Sequence, residues 1–400
     1  MKPSIEIIPA RPFTSSSMVN DLLVRITPPA EEVLTSRPPL DLALVLDSSG
    51  SMQGLPLQLA KEAVLLVGQA LTPKDRLALV TFASTVQIQF PLQAPPTPKR
   101  LQNVMGTVQA SGSTALHRGW QLGATLLHDS LQTGRLTRVL LLTDGRANVG
   151  LCQPQVIAAD VAQSLHRGVS TSAVGVGMRY DEQLLEAVAG AGDGNYHFAE
   201  TPEALPSLFN TEMESLRSTV GRLASLGISG VEVIDVLNDL SVLPTGRLAL
   251  PPLRAARPLD MILRVNAIAG DTLALRLAWT DAEGERHTER VSFALPLARE
   301  ANAEQPEYPE VVRVRAGLLA ARAQREVARL ADAGNLGAAL STLNQCRQNI
   351  HHDISRGVML GPELETLNEL EARLVRGERH SASKFAKSRA YSKTTGRDER

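Results

Sequence analysis

The sequence predicts an α/β fold: a doubly wound, mostly parallel sheet inserted in an antiparallel β-sandwich and followed by a C-terminal helical segment. Three observations carry this. Between about Asp41 and Ser215, short, almost wholly apolar runs alternate with helical stretches. From Ile228 to about Leu297 the apolar period switches to two. From Glu307 onward the pattern is helical.

The apolar runs are Leu42–Leu46, Leu77–Phe82, Val139–Thr143 and Ser172–Val176. Strands read this way when helices cover both faces of a parallel sheet. Between them, Leu57–Ala70, Leu116–Leu131, Gln155–His166 and Glu182–Ala189 place apolar residues three or four apart, as helices do. Val86–Phe90 follows Phe82 too closely for a helical crossover, so it is expected as an antiparallel edge strand. The α/β domain is placed at residues 40–217.

The period-two segment includes Val231, Val233 and Val236, then Met261, Leu263 and Val265, Leu273, Leu275 and Leu277, and Val291, Phe293 and Leu295. Alternation of this kind is that of half-buried antiparallel strands. The segment, residues 226–299, offers about five strands. Two short strands in residues 1–37, Ser4–Ile8 and Asp21–Thr27, are expected to complete the same sandwich. Residues 307–377 read as a helical hairpin region, with Pro362 at the start of its last helix. Residues 378–400 carry Ser, Thr, Lys and Arg with little to bury, and are expected to be disordered. That tail reads either as a solubilising segment or as a docking segment, with Ser381, Ser383, Ser388, Ser392, Thr394 and Thr395 among Lys and Arg as candidate sites for a Ser/Thr kinase.

Composition narrows the function. Lys and Arg number 41 against 42 Asp and Glu, a net charge of −1, so the chain as a whole has no basic surplus for nucleic acid. Aromatic residues make up 3%, too few for base-stacking platforms. No run reaches the roughly 18 apolar residues of a membrane span. Cys152 and Cys346 have no metal-ligand spacing and read as buried, reduced thiols. The opening residues show no run of signal-peptide length, and a cytoplasmic setting is expected.

Chemistry concentrates at the ends of the apolar strands, where open α/β sheets collect ligands. Leu42–Leu46 ends in Asp47-Ser-Ser49-Gly-Ser51, and Val139–Thr143 ends in Asp144-Gly145. Gly112-Ser113-Thr114 is a hydroxyl loop that opens a helix. Alternate spacing lets Asp47, Ser49 and Ser51 converge from one tight loop. Taken alone, that loop also reads as a helix-capping turn. With Thr114 and Asp144 it reads as an oxygen cage for a hard divalent cation. His351-His352-Asp353 has no partner at useful spacing and reads as the polar end of a helix.

The stretch from about Asp41 to Ser215 resembles a von Willebrand factor A domain with a complete metal-ion-dependent adhesion site. The family's Asp-x-Ser-x-Ser motif, its Thr and its second Asp match Asp47, Ser49, Ser51, Thr114 and Asp144, with no departure. The resemblance covers less than half of the chain. It implies Mg²⁺, or Mn²⁺ or Ca²⁺, at these five residues, and a partner protein whose Asp or Glu completes the ion's shell. Met52–Leu55, Ala110–Ser113 and Arg146–Gly150 would set specificity.

The resemblance also admits a regulatory subunit of a MoxR-type ATPase or chelatase machine, or of a kinase–phosphatase signalling set with a forkhead-associated domain. The flanking β-strands resemble those of secreted inhibitor heavy chains and calcium-activated channel regulators. A hydrolase using metal-activated water is the weakest reading, because no Glu or His in these motifs stands as a general base.

Overall fold

The computed structural model describes residues 2–29, 38–281, 283–298 and 306–395. The chain forms two compact units, one of residues 35–219 and 282–285, the other of the remaining segments. Two N-terminal strands, β1 (Ser4–Pro9) and β2 (Met18–Thr27), belong to the second.

The α/β unit contains β3 (Leu40–Asp47), β4 (Arg76–Phe82), β5 (Val86–Gln93), β6 (Leu136–Thr143), β7 (Ser170–Val176) and β8 (Tyr196–Ala199). They lie in the order β5-β4-β3-β6-β7-β8. All pairings are parallel except β4 with β5, which is antiparallel as the short connection requires. Six helices surround the sheet: α1 (Leu55–Ala70), α2 (Pro98–Thr107), α3 (Leu116–His128), α4 (Pro154–His166), α5 (Glu182–Ala191) and α6 (Leu205–Arg217). Helices α1, α2 and α6 pack on one face, where Leu57, Val64 and Val67 meet Leu101, Phe209 and the even-numbered leucines of β3. On the other face α3 lies close: a Cβ at Gly123 would sit 2.5 Å from Val45 Cγ2. The sequence missed α2, because only Leu101 and Met105 among its ten residues are buried.

The other unit is a sandwich with four helices. After α6 the chain forms β9 (Thr219–Ser229), β10 (Glu232–Val236), β11 (Leu248–Ala249), β12 (Leu253–Arg254), β13 (Leu259–Ala267), β14 (Thr272–Thr280) and β15 (Arg286–Ala294). One sheet has the order β1-β2-β13-β10; the other is β11-β9-β14-β15, with β12 beside β9. Strand β2 pairs with β13 from Met18↔Ala267 to Ile26↔Leu259, so both flanks of the α/β segment meet in one sheet. Inward residues such as Val24, Leu263, Leu226 and Leu275 share one core.

Helices α7 (Pro309–Asp332), α8 (Leu336–Ser355), α9 (Gly361–Val375) and α10 (Arg379–Thr394) complete this unit. Helix α7 lays Val311, Val314 and Leu318 against Leu23 and Ile262 of the sheet. Arg315 and Arg264 both reach Asp21, at 3.2 and 2.9 Å.

Helix α10 corrects the expectation that residues 378–400 are disordered. Ala382, Ala386 and Ala390 recur every four residues and are fully buried, and Phe385 packs beneath the Arg373 guanidinium. Small side chains permit close packing without the bulky apolar residues that betray a core segment in sequence. Lys387 pairs with Asp332 and Lys393 with Glu363. Of the proposed modification sites, Ser383 and Thr394 are buried in this packing. Residues 396–400 of that tail lie outside the described residues. Cys152 and Cys346 are free, and each is half-buried rather than buried. Among the described residues no helix is long and apolar enough to cross a membrane.

Candidate metal centre

Strands β3 and β6 are adjacent, and the strand order reverses between them. Their carboxyl ends carry Asp47 and Asp144 to neighbouring positions, at the crevice where such sheets bind ligands. Backbone bonds tie three loops together there. Ser48 N donates to Phe82 O at 2.7 Å, Ser111 N to Ser48 O at 2.9 Å, and Gly50 N to Gly112 O at 3.0 Å. Gly112 takes φ +70°, and a Cβ there would lie 2.5 Å from Ser84 Oγ, so this turn needs glycine.

The five side chains converge. Ser49 Oγ and Ser51 Oγ are 3.1 Å apart, and Ser51 Oγ donates to Asp144 Oδ1 at 2.6 Å. A Cβ built on Gly145 would lie 3.3 Å from Thr114 Oγ1, 3.4 Å from Ser51 Oγ and 3.9 Å from Asp47 Oδ2. Oxygens from three loops thus surround one small cradle, which the missing side chain of Gly145 leaves open. The capping alternative does not hold: Ser49 is the cap of a single 3-10 turn, and its side chain makes no capping bond. Its hydroxyl turns to Ser51 instead.

Neither acid is comfortable as an anion. Asp47 is fully buried, and burial pushes its carboxyl up to about 6. Hydrogen bonds from Thr143 and Ser49 pull the other way, and the charge of Asp144 adds to the rise. Burial also raises Asp144, against the hydrogen bond from Ser51 and the charge of Arg179. Two buried carboxylates and three hydroxyls, with no nitrogen or sulfur, form a donor set for a hard divalent cation.

Sequence reasoning missed the residues that aim these donors. Thr143 Oγ1 donates to Asp47 Oδ2 and accepts from Gly145 N at 3.1 Å, so it orients both acid-bearing loops. Asn148 Oδ1 accepts from Thr114 N at 2.7 Å, and Asn148 N donates to Thr114 O at 3.1 Å. Thr143 sits in the quoted Thr-Asp-Gly triplet, but its role depends on β3 lying beside β6. Arg179, in the loop after β7, acts on Asp144; Arg146 is simply exposed. Met52, expected at the rim, is fully buried in the core.

Partners that orient ligand groups typically change metal affinity about 10–100-fold when lost. Thr143→Val is accordingly expected to weaken Mn²⁺ binding by roughly tenfold or more, measured by isothermal titration calorimetry. An unchanged affinity would remove Thr143 from the site.

Comparison with known proteins agrees with the fold of this unit. Residues 41–211 match the model of the von Willebrand factor type A domain. The uncharacterised protein YfbK of Escherichia coli strain K12 is 30% identical over 189 residues, covering 46% of this chain and 32% of that protein. The chain thus spans about a third of the length of this relative. Two solved structures match nearly the whole chain in fold. The von Willebrand factor type A protein from Catenulispora acidiphila superposes with a TM-score of 0.72 at 17% identity, over 92% of this chain and 89% of that one. The ArnB paralog VWA2 from Sulfolobus acidocaldarius gives 0.65 at 16% identity, over 98% of each. Domains of this type are generally protein-interaction modules and usually non-catalytic. Residues 41–211 of the chain are a von Willebrand factor type A domain.

Proposed function

We propose that this chain is a metal-dependent protein-interaction module whose cation site is formed by Asp47, Ser49, Ser51, Thr114 and Asp144. The observation that carries the reading is the cradle beside Gly145, where hydroxyl and carboxylate oxygens from three loops meet. Asp47 and Asp144 would neutralise most of the charge of a bound Mg²⁺, Mn²⁺ or Ca²⁺, and the serine and threonine hydroxyls would add neutral donors. What such an ion supplies is positive charge at an open position, partly shielded from water, that attracts a partner's Asp or Glu carboxylate. The surrounding loops would then select the partner, with exposed Leu55 and Leu151 offering apolar contact near the site.

Calorimetric titration of Mg²⁺ and Mn²⁺ into wild type and Asp47→Ala tests the site; equal uptake by both would sink it. Capture of a partner from lysate in Mg²⁺, and its loss in EDTA, tests the carboxylate-bridging role.

Gly145→Ala is a sharper probe. Its methyl group would enter the cradle 3.3–3.4 Å from Thr114 Oγ1 and Ser51 Oγ, tight enough to crowd those oxygens. The variant is expected to keep its circular dichroism spectrum and lose at least about tenfold in Mg²⁺ affinity, since a shift of one donor disturbs a six-coordinate ion. Full retention of affinity would mean that the ion does not use this cradle.

A further inference from the structure

Among the described residues, the outer face of the β9–β14–β15 sheet carries arginines and no acid to balance them. On β14, Leu273, Leu275, Leu277 and Trp279 enter the sandwich core, which turns Arg276 outward. Arg290 of β15 lies directly opposite it in the antiparallel register. Arg286 begins β15 on the same outward parity, and its guanidinium donates to Leu223 O at 2.9 Å. Arg247 lies across the sheet surface over Gly227, donating to Ser225 O at 2.9 Å and Arg276 O at 2.8 Å. Gly227 lies beneath it, and a Cβ there would be in ordinary contact, 3.8 Å from Arg247 Nε and from Arg276 Cβ.

None of these four arginines pairs with a carboxylate among the described residues. Arg247 Nε is buried without any hydrogen-bond partner. The mutual repulsion is felt: burial, then the charges of Arg276 and Arg286, lower the Arg247 guanidinium. Like charges directly opposite on paired strands are unfavourable. Protecting an edge strand with charge would account for Arg286 and Arg290, since among the described residues β15 pairs only with β14. It does not account for Arg276 on an interior strand, or for Arg247 laid over a glycine.

We propose that this sheet face binds an extended, phosphorylated protein segment, with the phosphoryl dianion held by Arg247, Arg276, Arg286 and Arg290. Guanidinium forks match phosphate oxygens in a bidentate way that ammonium groups do not. The other outward positions between Ser225 and Ser229, Thr272 and Thr280, and Thr288 and Ala294 are serine, threonine, alanine or glycine. Ser225 and Ala278 are buried, but Ser229, Thr272, Thr288, Ser292 and Ala294 are exposed and small, so backbone can approach closely there. None of these positions holds an aromatic ring to stack a base, which disfavours nucleic acid. Among the described residues no strand pairs with the outer edge of β15, which leaves its backbone groups to a strand laid beside it. Binding at this face requires no cation at Asp47 or Asp144.

The test uses the full chain and a fluorescent Gly-Ser peptide of about twelve residues, with and without one phosphoserine, read by anisotropy at low salt. Wild type is expected to bind the phosphorylated form and to weaken as salt rises. Arg276→Ala/Arg290→Ala is expected to lose at least about tenfold, roughly one charge-assisted hydrogen bond's worth. That variant should melt no lower than wild type, because it removes a repulsive pair. EDTA should leave binding unchanged. The proposal is overturned by phosphate-independent binding or no binding in wild type, by unchanged affinity in the double variant, or by loss of binding in EDTA. Oligothymidylate of similar length binding about tenfold tighter than the phosphopeptide would overturn it in favour of nucleic acid.

Discussion

Asp47→Asn is expected to raise the melting temperature of the metal-free chain while ending its response to Mg²⁺. The carboxyl of Asp47 titrates near 3.8 when exposed and near 6 when folded. Between those values the folded state holds the proton that the unfolded state has released. The ionisation cost is therefore absent below about pH 4, grows as pH rises to 6, and is fully present above it. At neutral pH the difference is worth about 3 kcal/mol. For a unit of this size that is a melting shift of roughly 6–12 °C.

The amide that replaces the carboxylate carries no charge to desolvate, and its oxygen can still accept from Ser49 N, as Asp47 Oδ1 does at 2.8 Å. In EDTA at pH 7.5 the variant should melt above wild type, and the gap should close as the pH falls to 4. A cation reverses the order, because an ion present at about 1,000 times its dissociation constant adds about 4.1 kcal/mol to wild type alone, more than the gap. Thermal melts at both pH values, with and without Mg²⁺, read all four corners. A variant that melts lower than wild type in EDTA at pH 7.5 would show that Asp47 is not a destabilising charge waiting for a cation.

The residues of this site were legible because they are local signals at strand ends. Asp47, Ser49 and Ser51 fall within one loop, and Asp144 and Gly145 follow an unmistakable apolar strand. The long-range partners were not legible. Thr143 matters because β6 lies next to β3, and Arg179 because a loop 35 residues beyond Asp144 folds back towards it. The sheet order likewise explains the fold. Fully buried strands announce themselves by continuous apolar runs, as β3, β4 and β6 do. Helix α10 does not, since its buried face is alanine, and composition treats alanine among lysines as solvent-exposed. Strand β9 begins at Thr219, ahead of the Ile228 that the apolar period marks, because its first half mixes Gly221, Arg222 and Ser225 with few apolar residues.

Glu212 shows the same limit at its most costly. In sequence it is one of two acids in the helical stretch Glu212-Met-Glu214 and looks like a solvated position. In the structure it is fully buried on α6. Its Oε1 accepts from Ser172 Oγ at 2.6 Å and Arg138 Nη1 at 3.2 Å, and its Oε2 from Asn195 Nδ2 at 2.6 Å and His197 Nε2 at 3.0 Å. Burial by itself would raise this carboxyl; the His197 hydrogen bond, the Arg138 charge and the Ser172 hydroxyl together hold it well below the carboxylate range. A depressed carboxylate stabilises the fold at every pH above its unfolded value of 4.5, and that contribution is lost only in strong acid.

Removing one member of such a pair leaves the other charge buried and unpaired, at a cost of about 3–5 kcal/mol. Glu212→Ala is expected to show that loss in urea unfolding at pH 7, as is Arg138→Met. The double variant Arg138→Met/Glu212→Met should cost clearly less than the two singles added, because each single includes the penalty for the charge it strands. Additive losses, or a Glu212→Ala cost below about 1 kcal/mol, would mean that water reaches Arg138 and that α6 is held to the sheet by apolar packing alone. With the predicted coupling, Arg138 of β6, Ser172 of β7, His197 of β8 and Asn195 just before β8 anchor the domain's last helix to the sheet through a charge rather than through shape.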